Sequence, residues 1–472
     1  MKIAVIGAGP AGLTAAYVLS KDNYQVDIYE TSSQVGGMAG SFPLWGQIVD
    51  WGPHRYFSKD KRVNTLWLEV AGDDFTMVNR LTRIYYRGRF FLYPIQAIDA
   101  CINLGFLEAL KCLSSYVKEF IFPVKQDGSF ETWVQHRFGH RLYEIFFKTY
   151  SEKLWGIPCT ELDVTFASQR IKQLSLLEAL QHALSLKKGN KHITLIDRFA
   201  YPLYGSGFIY KKMADAILLK GNQLFFSKPV KRVLTSDHKV TGIELFDGTI
   251  KWYDHVISTM PYTTLVNNLD EAPTSIKLLA NQLTYRSTII VYLLIDATNT
   301  FPDNWIYVHS KELNVGRITN FRNWSPSLYG TERKTILAME YWCNYQDGMW
   351  NQGDETLFDT ARKELARTGL VQESLIKEGY VLRIYQSYPV YSKGYTKLLD
   401  PIVAFTQSID GLLVIGRNGS FKYNNQDHSI LMGLLAAENI IGDKKHNLYS
   451  INTDYGQYQE ANDLVDNGLK NK

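Results

Sequence analysis

The stretch that most constrains the fold lies at the start of the chain, where "GAGPAG" (residues 7–12) directly follows the apolar run "KIAVI". The run is short and rich in β-branched residues, which is typical of a buried strand, and the residues after it have a helical pattern. A second predicted strand, "QVDIYE", ends at Glu30. The segment therefore predicts a strand–helix–strand unit of about thirty residues.

The spacing of the glycines in this unit indicates a dinucleotide site. Gly7 permits a tight turn, Gly9 lets backbone approach a pyrophosphate, and Gly12 lets the helix pack closely on the strand. The helix N-terminus adds unpaired N–H groups and the positive end of a dipole. Glu30, at the end of the second strand, can accept hydrogen bonds from a ribose hydroxyl pair.

A second glycine loop, "SSQVGGMAGSF", follows Glu30 and offers another close approach of backbone to a ligand. Together with "STMP" at 258–261, it resembles the extended FAD fingerprint of the superfamily that contains amine oxidases, phytoene desaturases, protoporphyrinogen oxidases and galactopyranose mutases. FAD is therefore the predicted cofactor.

Composition excludes several classes of function. A net charge of +4 over 472 residues, without a basic run, argues against a nucleic-acid partner. The four cysteines are far apart and form no CxxC, so we expect neither a disulfide framework nor a zinc site, and this pattern fits a reducing, cytoplasmic location. No apolar run is long enough to span a bilayer. Residues 100–125 have an amphipathic helical pattern, for which internal packing is favoured over attachment to a membrane surface.

The order of the predicted elements indicates an α/β fold, because a nucleotide-binding unit opens the chain and a strand ("GLLVIG") followed by a helix closes it. We predict a Rossmann-type, glutathione-reductase-like FAD-binding domain assembled from discontinuous segments, with a helical insert and an antiparallel-sheet substrate domain. The predicted boundaries are 1–65, 206–265 and 400–445 for the FAD-binding domain, 66–205 for a mainly helical domain, 266–399 for the antiparallel sheet, and 446–472 for a polar tail.

Residues 416–433, "GRNGSFKYNNQDHSILMG", begin with polar side chains and then become apolar. They predict a helix capped by Asn425 or Asp427 and ended by Gly442. Its core-facing residues are predicted to be Ile430, Leu434, Ala437 and Ile441. Reduced flavin is anionic at N1–C2=O, so the positive end of such a helix would favour the reduced state.

The same stretch is similar to one that UDP-galactopyranose mutases carry before their last helix, with the eukaryotic-type branch most similar. The matching pieces are Gly416-Arg417, then Gly419 to Tyr423, then Asn425 to Ser429. Further pieces recur in the family's order: "YPIQ" at 93–96, "ASQRI" with Arg170, "NWIYVHSKELNVGRITNF" and "SYPV". The resemblance is patchy but runs from the N-terminus to about residue 442. In this chain Pro53 stands where the mutases have the second glycine of Gly-Gly-His.

The resemblance also implies roles for individual residues. It implies catalytic roles for His54, Arg170, Arg317, Tyr388 and Tyr423, and substrate contacts for Tyr93, Gln96, Trp155, Trp305, Tyr307 and Asn425. With the glycine motif, it implies FAD contacts for Gly7, Gly9, Pro10, Ala11, Gly12, Glu30, Gly37, Met38, Ala39, Gly52, Pro53, His54, Val230, Gly416, Arg417, Asn425, Gln426 and Ser429. No metal site is expected.

The activity that the resemblance implies is interconversion of pyranose and furanose forms of a nucleotide sugar, UDP-galactose or a close relative. In that family the N5 atom of reduced FAD attacks the anomeric carbon and expels the nucleotide diphosphate, and NADH or NADPH is a plausible reductant. Guanidinium groups suit such a leaving group, because its charge grows in the transition state.

Other interpretations stay open. Each residue alone also fits a structural role: Arg317 could form a salt bridge on a sheet face, and the tyrosines could be core residues. The alternative activity is an FAD-dependent oxidase or desaturase, which has little use for paired arginines. A third reading is a non-catalytic escort protein on the same fold, which the intact glycine loops and Glu30 argue against. Homo-oligomerisation through the helical segment is left open.

Overall fold

The computed structural model describes residues 1–166, 198–345, 347–442 and 445–451. Over these residues the strands are β1 (Lys2–Ile6), β2 (Gln25–Tyr29), β3 (Ser41–Leu44), β4 (Gln47–Asp50), β5 (Phe75–Asn79), β6 (Thr82–Tyr86), β7 (Arg89–Leu92), β8 (Arg198–Pro202), β9 (Gln223–Phe225), β10 (Val230–Ser236), β11 (Lys239–Leu245), β12 (Ile250–Trp252), β13 (His255–Ser258), β14 (Tyr285–Ile295), β15 (Trp305–Val308), β16 (Arg317–Asn320), β17 (Thr335–Cys343), β18 (Ile376–Pro389) and β19 (Leu412–Val414).

The α-helices over the same residues are α1 (Pro10–Lys21), α2 (Lys61–Ala71), α3 (Ala97–Leu104), α4 (Phe106–Ile121), α5 (Phe130–Phe138), α6 (His140–Tyr143), α7 (Thr149–Trp155), α8 (Gly207–Leu219), α9 (Tyr262–Asn267), α10 (Thr274–Ala280), α11 (Asp354–Arg367), α12 (Tyr395–Gln407) and α13 (Gln426–Ile441). A π-helical turn, Glu144–Lys148, joins α6 to α7.

A parallel sheet in the order β19-β13-β1-β2-β9 carries the first glycine loop. Its strands come from stretches of the chain that lie far apart, and β1 is central, paired with β2 on one side and β13 on the other. The strands of such a sheet are buried on both faces, which explains why β1 is an unbroken apolar run. Helices α1 and α13 pack against each other on this sheet.

A second, seven-stranded sheet has the order β18-β14-β17-β16-β15-β6-β7 and is antiparallel except between β6 and β15. The long strand β14 is buried from Arg286 to Ile295. Across the β16–β17 pair, Arg317 lies opposite Glu340. This sheet therefore brings a guanidinium and a carboxylate together in a buried setting.

The prediction of a mainly helical segment from residue 66 is wrong for its first part, because β5, β6 and β7 occupy residues 75–92. These strands are short, and two of them pair with distant chain: β5 with β8 and β6 with β15. Local periodicity carries little sign of such pairing. Helices follow from α3 onward, residues 167–197 lie outside the described chain, and so does the predicted polar tail from residue 452.

The amphipathic pattern at 100–125 corresponds to most of α3 and to α4. The expected internal packing is wrong for one face of α4, since Phe106 and Phe120 are 79% and 76% exposed. The last helix, α13, starts and ends as predicted. Its residues Ile430 and Ala437 are buried, whereas Ile441 is 37% exposed and not in the core. None of the described helices is long and apolar enough to cross a membrane.

We expect Gly433→Val to destabilise the protein by about 3 kcal/mol, because α1 and α13 leave no room for a side chain there. A Cβ at 433 would lie 2.4 Å from the Ala11 carbonyl oxygen and 2.8 Å from the Thr14 Cβ. Chemical unfolding measures the change. Gly348→Ala is the control, since a Cβ there meets open space. Equal stability of the two variants would contradict the close packing.

Candidate functional site

A cavity opens at the carboxyl end of the parallel sheet, where open α/β sheets hold their ligands. It lies between the β1–α1 turn, the second glycine loop and the mouth of α13. The lining residues are Gly7, Gly9, Pro10, Ala11, Glu30, Gly37, Met38, Ala39, His54, Thr259, Gly416, Arg417, Asn418, Asn424, Asn425, Gln426 and Ser429. Most of the residues predicted from the glycine motif and the resemblance to contact FAD therefore meet in one place.

The two glycine loops meet at the floor of the cavity. A Cβ on Gly37 would lie 3.1 Å from the Cα of Gly9, so side chains would fill the space that the loops leave open. Gly7 has φ +100°, and a Cβ there would lie 2.1 Å from the Thr259 hydroxyl. A Cβ on Gly12 would lie 2.0 Å from the carbonyl oxygen of Gly7. Gly7 and Gly12 are thus required by the turn and by helix packing, as predicted, whereas a Cβ on Gly9 would lie 3.8 Å from the Cα of Gly37 and its role toward a pyrophosphate stays a prediction.

Glu30 ties the two loops together. Its Oε2 accepts a hydrogen bond from the Ala8 amide at 2.7 Å, and its Oε1 accepts one from the Ser32 amide at 2.8 Å. The carboxylate also lines the cavity. Each carboxylate oxygen can accept a further hydrogen bond, so the predicted contact with a ribose is compatible with this geometry.

The mouth of α13 differs in detail from the prediction. Asn425 occupies the N-cap position with extended backbone, but its side chain does not accept from the first-turn amides. The side chain of Gln426 accepts from the Tyr210 hydroxyl at 2.7 Å and donates to the carbonyl oxygens of His54 and Arg55. Gln426 therefore holds the His54 loop against the helix. The first-turn amides, without a side-chain cap, lie at the cavity, where a helix N-terminus favours negative charge.

Arg417 forms the wall between this cavity and a cluster of aromatic residues. Its Nε and Nη2 donate to the Asn424 carbonyl oxygen at 2.9 and 2.6 Å. The guanidinium lies 5.2 Å from the ring of Tyr388 and 5.3 Å from the ring of Tyr423. The described residues provide no carboxylate partner for Arg417, so its charge is available to an anion at this wall.

The aromatic cluster contains Tyr388 and Tyr423, to which the resemblance assigns catalytic roles, and Trp155, to which it assigns a substrate contact. Tyr388 and Tyr423 stack with ring centroids 5.4 Å apart, and Trp155 stands edge-on 5.6 Å from Tyr423. Burial raises the pKa of Tyr388, so its hydroxyl stays protonated and able to donate. These residues come from α7, β18 and the loop before α13, three distant parts of the chain.

Arg317 faces the same cluster from the seven-stranded sheet. It pairs with Glu340 through two bonds, Nε to Oε1 at 2.7 Å and Nη2 to Oε2 at 2.5 Å. Burial works against the charged form, but Glu340 holds the pKa of Arg317 above its usual range. The salt bridge on a sheet face, considered from sequence, is present. The salt bridge uses Nε and Nη2 of the Arg317 guanidinium and leaves Nη1 to donate to another acceptor.

His54 sits between the two guanidiniums and the cavity. Its burial, together with the charges of Arg417 and Arg317, lowers its pKa to about 3, so the imidazole is neutral at physiological pH. Within the described chain its Nδ1 has no hydrogen-bond partner. Gly52 has φ +140°, and a Cβ there would come within 3.3 Å of the imidazole.

Four of the residues that the resemblance assigns to substrate contacts lie in different settings. The ring centroids of Tyr93 and Tyr307 are 5.1 Å apart, and those of Tyr307 and Tyr150 are 5.4 Å apart. The three rings therefore form a row whose last member, Tyr150, lies near Arg317. Gln96 is exposed at the start of α3. Trp305 instead packs in a core cluster, 5.7 Å from Trp324. The placement of Trp305 fits a core residue better than a substrate contact.

Four of the predicted FAD contacts, Gly12, Gly52, Pro53 and Val230, do not line the cavity. Arg170 lies outside the described residues. Val230 is buried at the start of β10 and does not line the cavity. Sequence reasoning missed Glu340 and Tyr150. Tyr150 is on the same helix as Trp155, which could have identified it, whereas Glu340 becomes visible only once the strand register is known.

The chain belongs to the flavin containing amine oxidoreductases. The model of that family matches residues 10–440. Among curated relatives, a coproporphyrinogen III oxidase of Staphylococcus aureus is 22% identical over 476 residues, covering 93% of this chain and 99% of that one. A probable UDP-galactopyranose mutase of Klebsiella pneumoniae is 28% identical over 172 residues, covering 34% of this chain and 42% of that one.

Solved structures show the same fold at low sequence identity. A reduced UDP-galactopyranose mutase superposes with a TM-score of 0.84 at 23% identity, covering 97% of this chain and 98% of that one. A putative protoporphyrinogen oxidase from Exiguobacterium has a TM-score of 0.72 at 16% identity, covering 93% and 98%.

The cavity fits the cofactor that this family implies. Two glycine loops leave a floor without side chains, Glu30 can receive a ribose, and the N-terminus of α13 lies at the wall. The family and this donor set together support FAD as the cofactor. The residues that would hold it come from the first and second glycine loops, from His54 and from the segment 416–429.

We expect His54 to remain neutral when the pH is lowered from about 8 to about 5, because its folded pKa of about 3 lies below its ordinary value of 6.5. Between these two pKa values, the imidazole of His54 binds a proton in the unfolded chain but not in the folded protein. The stability that neutral His54 contributes is present above pH 6.5 and is lost as the pH falls toward 3.

Imidazole ¹⁵N shifts measure this directly, with His54→Gln identifying the signal and free histidine in the same buffer as the reference. A midpoint for His54 near that of a free histidine would contradict the buried, doubly flanked environment.

Proposed function

We propose that this protein is an FAD-dependent isomerase that interconverts the pyranose and furanose forms of a nucleotide sugar, UDP-galactose or a close relative. The observation that carries the proposal is the meeting of Arg317, Tyr388 and Tyr423 with Arg417, which itself lines the cavity predicted to hold FAD. The similarity in fold to UDP-galactopyranose mutase and the partial alignment with the Klebsiella relative agree with it.

The two guanidiniums match a diphosphate leaving group. The charge on such a group grows as the bond to the anomeric carbon breaks, so fixed cations stabilise the transition state more than the ground state. Glu340 fixes the orientation of Arg317, and the Asn424 carbonyl fixes Arg417. Because both forks are held before the substrate arrives, little reorganisation is needed during the reaction.

The tyrosines supply neutral donors beside these cations. The hydroxyl of Tyr388 is protonated, so it can donate to a phosphate oxygen without adding charge. Trp155, edge-on to Tyr423, packs behind that ring and restricts its position. Arg170, which the resemblance places on the diphosphate, belongs to this proposal on the resemblance alone.

Reduced FAD, when bound, supplies the nucleophile for the anomeric carbon. The chain contributes the surroundings that favour its reduced, anionic form: the N-terminus of α13 and the positive charge of Arg417. Because His54 is neutral, it adds no charge beside the flavin, and its Nδ1 can form a hydrogen bond at the cavity wall. NADH or NADPH is the proposed reductant.

The second candidate is an FAD-dependent oxidase. It is favoured by one observation, the alignment with the Staphylococcus enzyme along 99% of that protein. The two candidates differ in electron balance, since an oxidase consumes an electron acceptor with each turnover whereas the mutase reaction has no net redox change.

We expect the dithionite-reduced protein to convert UDP-galactofuranose into UDP-galactopyranose under anaerobic conditions, and the oxidised protein not to. Chromatography of the nucleotide sugars measures the conversion, with flavin and dithionite without protein as the control. If neither this sugar nor any other nucleotide furanose isomerises, the mutase proposal fails. Oxygen consumption with a porphyrinogen substrate would instead favour the oxidase.

We expect Arg317→Lys and Arg417→Lys each to lower turnover by roughly 100-fold or more while flavin stays bound, because a lysine loses the geometry of the fork. Arg83→Lys is the matched control. Arg83 forms the same two-bond pair, with Asp303, on the same sheet but outside the aromatic cluster.

The assay is turnover with the nucleotide sugar, alongside the visible flavin spectrum. Turnover that falls as far in Arg83→Lys as in the other two would mean that the effect comes from the sheet and not from the site. Loss of flavin in Arg317→Lys would place that residue at the cofactor instead.

A further inference from the structure

Helix α4 directs large apolar side chains toward solvent. The exposed set on this helix is Phe106 (79%), Leu107 (74%), Leu110 (52%), Leu113 (45%), Val117 (45%), Phe120 (76%) and Ile121 (58%). Phe122 at its end and Ile98 and Ile102 on α3 are also between 62% and 72% exposed. We call the seven α4 residues the apolar stripe.

The opposite side of α4 is small and polar. Glu108 forms an ion pair with Arg141, and Cys112 is the buried residue of the helix. The backbone at Tyr116 comes so close to Gly139 that a Cβ there would lie 2.8 Å from the Tyr116 nitrogen. The helix therefore packs on its own chain through small and charged groups and leaves its hydrophobic face outside, the reverse of an ordinary surface helix.

The exposed area is large enough to form a stable interface. The ten side chains on α3 and α4 present on the order of 1,000 Å² of apolar surface, whereas the largest patch of a typical monomer is about 300–600 Å². A standard protein–protein interface uses about 800 Å² from each partner. An interface that covered this surface would therefore bury an area close to that of a standard protein–protein interface.

The spacing of the stripe is symmetric about its own midpoint, between residues 113 and 114. Counting outward from that point, Leu110 matches Val117, and the outer pairs are Leu107 with Phe120 and Phe106 with Ile121. Two copies of α4 packed antiparallel would therefore place an apolar residue opposite an apolar residue at these six positions, while Leu113 at the centre would lie opposite Ser114 of the other copy. A two-fold axis pairs residues in this way, because a residue of one copy that contacts a second residue of the other copy has its own counterpart contacted by that second residue's counterpart.

We propose that this surface is a homodimer interface in which the α4 helices of two chains pack antiparallel, with the two-fold axis near residues 113 and 114. Steps of four, three, four and three residues from Phe106 to Phe120 form a seam suited to another helix. A lipid surface needs an apolar face but not a symmetric one, so the pattern favours a second copy. Lys111 and Lys118 border the stripe and keep their charges in water. The inference goes beyond the proposed function and does not depend on it.

The first test is the mass of the flavin-loaded protein in sedimentation or light scattering at about 10 µM. We expect twice the chain mass of 54.1 kDa for the native protein, and the single-chain mass for the double variant Leu110→Glu, Leu113→Glu. Leu219→Glu, at an 88% exposed leucine outside the stripe, is the control and should stay dimeric.

A native protein that is monomeric, or a double variant that remains dimeric, overturns the proposal. Co-sedimentation of a monomeric native protein with phosphatidylcholine vesicles would assign the surface to a membrane instead.

The second test locates the axis. In a Cys101→Ser background, which removes the exposed cysteine, Ser114→Cys should give a covalent dimer with a short bis-maleimide. Ser374→Cys, exposed and far along the chain, is the matched control and should not. A dimer that cross-links equally at both positions, or at neither, would contradict an axis at the middle of α4.

Discussion

The buried ion pair between Arg317 and Glu340 is the interaction on which the proposed substrate site depends. Both partners lie inside the seven-stranded sheet, where removing two charges from water costs several kcal/mol for each ion. A pair of apolar residues would give a sheet of similar stability at lower cost. The pair does something that apolar residues could not, because it holds a permanent cation in one orientation at the edge of the aromatic cluster.

The flavin side is built by different means. Glycines remove side chains from the floor of the cavity, and the mouth of α13 contributes amides without a side-chain cap. Arg417 joins the two sides, since it lines the cavity and also faces the rings of Tyr388 and Tyr423. A ligand that bridges a reduced flavin and a diphosphate would use both. Burial, together with the charges of Arg417 and Arg317, also lowers the pKa of His54 and keeps its imidazole neutral.

Features encoded in neighbouring residues could be predicted from the sequence. The strand, glycine turn and helix at residues 2–21 are local, and each glycine has a steric reason that can be stated without a structure. The start of α13 at Gln426 could be predicted for the same reason. Of the two predicted caps, Asn425 occupies the N-cap position and Asp427 lies in the first turn, but Asn425 makes no side-chain cap bond. A residue type shows that a side chain can accept such a bond and does not show that it does.

Features that depend on strand register could not be predicted in this way. Strands β5 and β6 are short and find partners far along the chain, so their local pattern is weak. Glu340 is invisible as a partner of Arg317 until β16 and β17 are aligned. The predicted substrate contact of Trp305 stays a prediction, since the motif position suggests a ligand contact whereas the fold places the side chain in a core cluster.

The most direct measurement is a crystal structure of the reduced protein with UDP bound. We predict that the diphosphate lies between Arg317 and Arg417, with Arg317 Nη1 donating to a phosphate oxygen while its Nε and Nη2 remain on Glu340. We also predict the Tyr388 hydroxyl within hydrogen-bonding distance of the same group. A diphosphate bound elsewhere, or a site that takes up no UDP when both guanidiniums are intact, would contradict a nucleotide-sugar function.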